Sequence, residues 1–487
     1  IAGSVNSTLG SSTPSVTFYN SGGRTFTYSG EVTYANSNSS SSPTWALLYS
    51  NGFNDQASSL LLSAGATVTV YQDGVGSNVI NTFTNGSATA QTYTLSSTSG
   101  SAFILTGGSG SASNALTIYA GNGSVAIGGA VSNLTSLEIN ARSASSVIAG
   151  IVSGSAALTL NSASGYTAAN SPNAVLTLSA ANSFTGTTTV NGGMLRVTGS
   201  LNDANAVIVA SGAIYDVAAN DTIASLAGAG NVTLNSNTLT LAGSADTTYS
   251  GVLSGAGSLV KSGAGTLILS GANTYTGATN IDAGTLLQTG SLSTSTNVAM
   301  TGTAVWDLQA AQTVASLTMA SGNSITNTTG TSSLAVSGTS TLANSITTSD
   351  TQTYTGAVTL LANTTLTTTD AAVTFADAVT GSGKSLTVSA GSGAISMSTV
   401  GVSGTSIGAL TLNSTGVTTL GGAVYAASVT TNAGGSVAIN TTTVTTTGAQ
   451  TYNDAVTLGA NVAFTTTDSA VTFADAVTGS GKSLTVS

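Results

Sequence analysis

The sequence predicts an all-β chain wound as a parallel β-helix, or β-solenoid, and three observations carry that expectation. Apolar residues alternate with Thr, Ser or Asn in short runs such as ALTL (Ala157 to Leu160), VLTL (Val175 to Leu178), TLTL (Thr238 to Leu241) and TLIL (Thr266 to Leu269). A period of two marks a strand with one face buried. Clusters such as LSGAGS (Leu253 to Ser258) and NAGGS (Asn432 to Ser436) separate the runs and supply turns. The third observation is self-similarity over long distances, the signature of stacked units.

The strongest repeat is AVTFADAVTGSGKSLTVS, present at Ala372 to Ser389 and again, unchanged, at Ala470 to Ser487, an offset of 98 residues (470 − 372). DTQTYTGAVTL (Asp350 to Leu360) is echoed by GAQTYNDAVTL (Gly448 to Leu458) at the same offset. In the middle of the chain LTLSAANSFTGTTTVNGGML (Leu176 to Leu195) matches LILSGANTYTGATNIDAGTL (Leu267 to Leu286) at an offset of 91 (267 − 176). Each unit holds about five strand-turn groups of ~20 residues, which suits solenoid rungs better than propeller blades of ~40 to 50 residues. The second 98-residue unit runs only partway, so the repeat is expected to continue beyond the sequence.

Three regions follow. Residues 121–345 read as β-helix with the 91-residue repeats, and residues 346–487 as β-helix made of 98-residue repeats. Residues 1–120 hold seven of the fourteen tyrosines, Trp45 and two of the three prolines. That stretch is expected to be a more irregular, β-rich cap or small β domain, because the first rung of a solenoid needs protection against edge-to-edge pairing.

Composition narrows the function classes. Only 5% of the 487 residues are charged, against roughly 25% in an ordinary soluble domain. The net charge of −10 repels a phosphate backbone, so nucleic acid is not an expected partner. Cysteine and histidine are both absent, which removes disulfides, thiolate metal sites, Ser-His-Asp triads and imidazole acid-base chemistry. No apolar run approaches the ~18 to 20 residues of a membrane-spanning helix.

The segment GSLVKSGAGTLILSGANTYTGATNIDAGTL (Gly257 to Leu286) resembles the autotransporter-associated β-strand repeat of bacterial passenger domains. A Gly-rich approach precedes L-x-L-S-G-A-N-x-Y-T-G-x-T, and a G-x-L turn leads into the next strand. Leu176 to Leu195 is a looser copy, with Ala180 and Phe184 in place of Gly271 and Tyr275. The 98-residue unit is similar to the long repeats of giant secreted adhesins. The resemblance implies a right-handed parallel β-helix exported to the cell exterior as a stalk or adhesive surface. Within these 487 residues no segment resembles the family's membrane barrel or its catalytic insertions, so the resemblance does not extend to a secretion route.

Several motifs admit a sharper reading. GSGKS at Gly381 to Ser385 and Gly479 to Ser483 ends like a phosphate-binding loop, but Ala378 and Ala476 occupy the position of its first glycine, and SLTV reads as strand rather than helix. A lysine-bearing turn between rungs is expected instead. GGSGSA (Gly107 to Ala112) approaches a calcium-binding turn but has Ala112 where the ligand Asp belongs, so an ordinary glycine turn is expected. Calcium between rungs at Asp203, Asp282, Asp377 or Asp475 stays open, with hydrogen-bonding turn aspartates the commoner case. Asp216 and Asp221, with Arg196 upstream, are the carboxylates nearest to a polysaccharide-cleaving set; their separation in space decides that chemistry. Aromatic-hydroxyl-Gly triplets at Tyr28, Phe184, Tyr249, Tyr275 and Tyr354 are expected to stack at rung corners, with a sugar-binding face as the alternative. Thr runs such as INTTTVTTTGA (Ile439 to Ala449) suit flat outward ladders, adhesive or even ice-binding, or simply solvated.

The functional expectation is an extracellular, non-enzymatic β-helical stalk or adhesin of a large bacterial surface protein, with no catalytic, metal or cofactor residues. Cell-surface glycans or receptors are its expected partners. A self-assembling filament or surface-layer subunit is the second reading, and a polysaccharide-active enzyme the third.

Overall fold

A computed structural model describes strands from Thr27 to Val486 and no helix. It describes side chains over residues 116–118, 125–128, 130–132, 134–142, 145–161 and 166–487. The side chains expected to build a cap in residues 1–120 therefore lie almost wholly outside the described residues. The backbone strands within that stretch pair in parallel, as Thr44–Ser50 does with Thr67–Asp73. The chain divides into two compact units, the first running to Gly243 with Thr248–Gly255, the second comprising Ser244–Thr247 and Ala256–Ser487.

In the first unit each wall is a parallel ladder whose members lie one rung apart. Leu176 sits opposite Leu195, Leu195 opposite Tyr215, Tyr215 opposite Val232 and Val232 opposite Leu253. The step from Leu176 to Leu195 is 19 residues (195 − 176). All five side chains are fully buried. A second column, Ile139, Leu160, Val190 and Val209, runs the same way. Parallel strands ordinarily need long crossovers; here one circuit of short strands and turns serves as the crossover. Alternation then puts one set of side chains in the core and the other outside, as the pattern buried, intermediate, buried of short strands such as Val125–Ile127 records.

The second unit has the same construction with three walls. One column runs Leu267, Leu286, Trp306, Ile325, Ile346, Leu366, Val388 and Leu412. A separate nine-stranded sheet carries Val314, Val336, Tyr354, Phe375, Met397, Leu420, Ile439 and Leu458 in register. Tyr354 and Phe375 stack with ring centroids 5.2 Å apart, and Tyr452 and Phe473, 98 residues on in the repeat, do the same at 5.2 Å. The core is a stack of apolar side chains in register from rung to rung, so the fold is the β-solenoid that the repeats predict.

Buried asparagines fasten rung to rung. Asn161, in the left-handed region at φ 58°, accepts from the Ala141 N–H at 2.7 Å and donates to the Gly192 carbonyl at 2.9 Å. Asn182 accepts from the Val152 N–H and donates to the carbonyls of Ala180 and Ser200. Each amide accepts a backbone N–H with its oxygen and donates to backbone carbonyls with its nitrogen, a pair of roles that Asn supplies.

Candidate functional site

The aromatic triplets are core elements. Phe184, Tyr249, Tyr275 and Tyr354 are fully buried, so these four offer no aromatic face to a sugar; Tyr28 lies outside the described side chains. The closing glycine is sterically required: a Cβ at Gly186 would stand 2.1 Å from the Ala156 carbonyl oxygen, and one at Gly277 2.2 Å from that of Gly257. The ring fills the interior, its hydroxyl finds a partner inside, and the next residue passes against the preceding rung. Tyr249 donates to the Gly230 carbonyl at 2.6 Å, and the Tyr275 hydroxyl meets that of Thr279 at 2.5 Å.

The motif GSGKS forms the turn between Val379–Thr380 and Leu386–Gly391, with Lys384 exposed. No helix follows it, so no set of helical N–H groups faces a phosphate. Gly108–Gly121, which includes most of GGSGSA, is strand rather than the expected turn, because its backbone is paired on both sides, with Phe83–Asn85 and with Val131–Ala141. The turn aspartates serve the backbone and neighbouring hydroxyls. Asp282 accepts from Thr301 at 2.8 Å, and Asp377 and Asp475 accept from the N–H groups of Ala378 and Ala476. Among the described residues no three acidic groups come together.

Asp216 and Asp221 are both almost fully buried, yet they lie on opposite faces of the wall. Ile214–Val217 turns Tyr215 and Val217 inward, so Asp216 points outward, where Arg196 donates to it at 2.6 Å and Asn235 at 2.6 Å. Asp221 shares the inward face with Ile223. Its oxygens accept from the Tyr215 hydroxyl at 3.0 Å and from the N–H groups of Leu201 and Thr222 at 3.1 Å each. Burial pushes the Asp221 carboxyl up to about 6, against the lowering effect of those hydrogen bonds, and burial next to Asp221 also drives the Tyr215 hydroxyl well above its ordinary value. Arg196 does meet one of the carboxylates, as the sequence suggested, but the pair of carboxylates flanking a common substrate that glycoside cleavage uses is not formed.

The 91-residue repeat explains what these groups do. Tyr215, Asp216 and Asp221 correspond to Trp306, Asp307 and Gln312 (each + 91). Gln312 accepts from the Leu292 N–H at 3.0 Å, the same bond that Asp221 makes with Leu201. Asp307 accepts from Gln309 at 3.0 Å, from the Thr328 N–H at 3.0 Å and from the Thr328 hydroxyl at 2.5 Å. One position tolerates acid or amide because its task is to satisfy a backbone N–H. Trp306, by contrast, buries an indole N–H without a partner.

Two buried polar groups escaped the reading by motif. Lys261 lies on an interior column with Ile281, Met300 and Met319; its ammonium donates to the carbonyls of Gly263 and Ala283. Burial lowers its pKa, with Asp246 opposing. Gln352 and its repeat copy Gln450 each hold three oxygens and one hydroxyl. Gln352 donates to Ile346 and Thr367 carbonyls and to the Thr348 hydroxyl and accepts from Tyr354, and Gln450 does the same with Val444, Thr465, Thr446 and Tyr452. Alternation was the available signal: in QTY, Gln stands two residues before a core Tyr and so faces inward.

Two segments of the chain, residues 173–197 and 259–287, match the passenger-associated-transport-repeat family. The first contains the rung pair Val175–Leu178 with Met194–Val197, and the second contains Thr266–Leu269 and all but the last residue of its partner Thr285–Gln288, so the chain carries the repeat of autotransporter passenger β-helices. That repeat is one of surface or secreted proteins. No curated protein and no solved structure matches the chain.

Proposed function

We propose that the chain is a non-enzymatic β-helical stalk that presents an adhesive surface outside a bacterial cell. The observation that carries this reading is the coincidence of the two matched passenger repeats with paired solenoid rungs. The use of buried carboxylates as ties between rungs supports it, since groups bonded to Arg196, Asn235 and backbone N–H are not free for proton transfer. A wall this poor in charge reduces long-range repulsion against another surface. The partners of the reading are cell-surface glycans or receptors. Beads coated with the purified chain should adhere to cells or to an immobilised glycan panel more than beads coated with an unrelated β protein; equal adherence removes the reading. Calcium, if it takes part, strengthens adherence and is reversed by chelation.

A self-assembling filament is the second reading, favoured by the low charge of the chain, 5% of its residues, which reduces repulsion between copies packing side by side. End-to-end contacts that do not close would propagate such a fibre. Electron microscopy across a concentration series separates the two: ordered polymers favour the filament, and single particles the stalk.

A further inference from the structure

At one corner of the second unit the wall is interrupted. Val400 stands opposite Val424 and Ile407 opposite Ala426, so the six residues from Gly401 to Ser406 face the single residue Tyr425. They leave the ladder as a projecting hairpin, in which the Val402 N–H donates to the Thr405 carbonyl at 3.3 Å and the Thr405 N–H to that of Val402 at 2.9 Å. Gly404, at φ 81°, occupies its turn, and Val402, Ser403, Gly404 and Thr405 are all exposed. Insertions into a solenoid collect on its binding face. Tyr425 lies at the foot of this one: a Cβ at Gly401 would stand 3.1 Å from the Tyr425 Cβ. Val424 and Ala426 are fully buried, so alternation turns Tyr425 outward, in line with Thr445 and Thr465 on the rungs that follow. Its ring is half-buried and its hydroxyl has no partner among the described residues. Other rings of the unit pack inside, as Trp306, Tyr354 and Phe464 do.

Charge singles out the same corner. The hairpin rests on the GSGKS turn of the preceding rung, where the Gly383 N–H donates to the Ser406 carbonyl at 3.0 Å and the Gly408 N–H to the Lys384 carbonyl at 2.8 Å. Lys384 is exposed and, among the described residues, without a partner. Cations elsewhere are engaged: Arg142 lies over the Tyr166 ring, Arg196 pairs with Asp216, and Lys261 is buried. The segments that build the corner, 359–363, 380–385, 401–409, 425–428 and 445–449, contain no Asp or Glu. A chain of net charge −10 therefore shows an isolated positive charge here.

These groups select a ligand by their chemistry. An outward phenol offers an apolar face to the C–H face of a sugar ring and a hydroxyl to its edge. Ser403 and Thr405 add exposed hydroxyls that both donate and accept. The ammonium of Lys384 favours a carboxylate. Lys384 and Tyr425 are two rungs apart, ~9.6 Å along the stack, so an occupant that reaches both is extended. Nucleic acid would use the same ring for stacking but needs a row of cations, and the corner has one. We propose that the angle between hairpin and wall binds an acidic saccharide, with its carboxylate on Lys384 and a sugar ring on Tyr425. The inference rests on the adhesive reading and gives that reading a site.

The test passes the full chain over surfaces coated with polygalacturonate, with its methyl ester and with sialyllactose. Wild type should be retained on polygalacturonate or on sialyllactose, which separates a uronic from a sialic acid, and should pass the uncharged ester. Tyr425→Ala and Lys384→Gln should each lower retention at least about tenfold. Ser403→Glu, which sets an anion on the exposed turn, should do the same and decides the matter if Tyr425→Ala melts early. Lys482→Gln, at the repeat copy of Lys384, should be retained as wild type is. Passage of wild type over both acids overturns the proposal, as does equal retention on the ester or equal retention of the Tyr425, Lys384 and Ser403 variants. Adherence to cells that survives in those variants would overturn the site and leave the adhesive reading standing; loss of wild-type adherence to cells and glycans alike would remove both.

Discussion

A carboxyl enclosed by an apolar wall resists ionisation, and Asp221 shows the consequence for stability. Its folded value is raised from 3.8 to about 6, so the native state holds the proton more tightly than the unfolded chain. The associated stability is complete below the unfolded value and is lost as pH rises through about 6. Replacing the acid by an amide removes that loss, and the copy with Gln312 shows that an amide oxygen can hold the same backbone N–H. Asp221→Asn should therefore stabilise the protein above pH 6 by up to about 3 kcal/mol, using ~1.4 kcal/mol per pKa unit, and should gain little near pH 4. Denaturant melts of both proteins at the two pH values check this, and identical differences at both would refute it. Gln450 permits a second test at this scale. Gln450→Leu leaves the buried Tyr452 hydroxyl without the amide oxygen that accepts from it and should cost about 1–3 kcal/mol. Tyr452→Phe added to it should recover part of that cost, whereas simple additivity would deny the bond between them.

At the scale of the rung, the glycine that closes each of the four described aromatic triplets is a steric requirement and not a flexible joint. Gly277→Ala would place a methyl 2.2 Å from the Gly257 carbonyl oxygen, so two backbones must part and about 1–3 kcal/mol or more is lost to overpacking. Gly128→Ala meets nothing within 4 Å and should be neutral within about 1 kcal/mol. Comparable losses in thermal melts of the two variants would dismiss the argument. The strands themselves were legible in the sequence because alternation acts residue by residue, and TLIL is strand Thr266–Leu269 as expected. The roles of Asp216 and Asp221 were not legible. Five residues of spacing do not reveal that the strand's alternation sends one carboxyl outward and the turn after it sends the other inward. Tyr275 was placed at a corner for a similar reason: its neighbours on adjacent rungs, unseen in one linear segment, close over it. Superposing the 91-residue copies, with Gln312 under Asp221, was the comparison that could have exposed a structural role.

For the whole molecule, the repeated eighteen residues form an internal control in which sequence is constant and environment is not. In the first copy Val373, Phe375, Val379, Leu386 and Val388 are 0–2% exposed; strand Val373–Phe375 pairs with Gln352–Tyr354 on one edge and with Ile395–Met397 on the other. In the second copy Val477, Leu484 and Val486 are 38%, 39% and 53% exposed, and Val471–Phe473 is paired with Gln450–Tyr452. The Val373 and Val379 N–H groups donate forward, to Ala394 and Thr399, each at 2.9 Å, while the copies of those residues, Val471 and Val477, lie on the outer edge of the described ladder. Intrinsic exchange chemistry depends on neighbouring side chains, which are the same in both copies, so any difference in amide hydrogen exchange reports structure alone. In a chain that stops at Ser487, the Val373 and Val379 amides should exchange slowly and those of Val471 and Val477 rapidly, while the Ala376 and Ala474 amides, which both donate back to a tyrosine carbonyl at 2.9 Å, should differ less. Fragments for mass spectrometry must reach into the unlike flanks, since the repeated segment has one mass in both places. Protection of Val471 that fades on dilution would mean that a second copy of the chain covers the edge and would favour the filament. Equal protection at every dilution would refute the arrangement of the last rung.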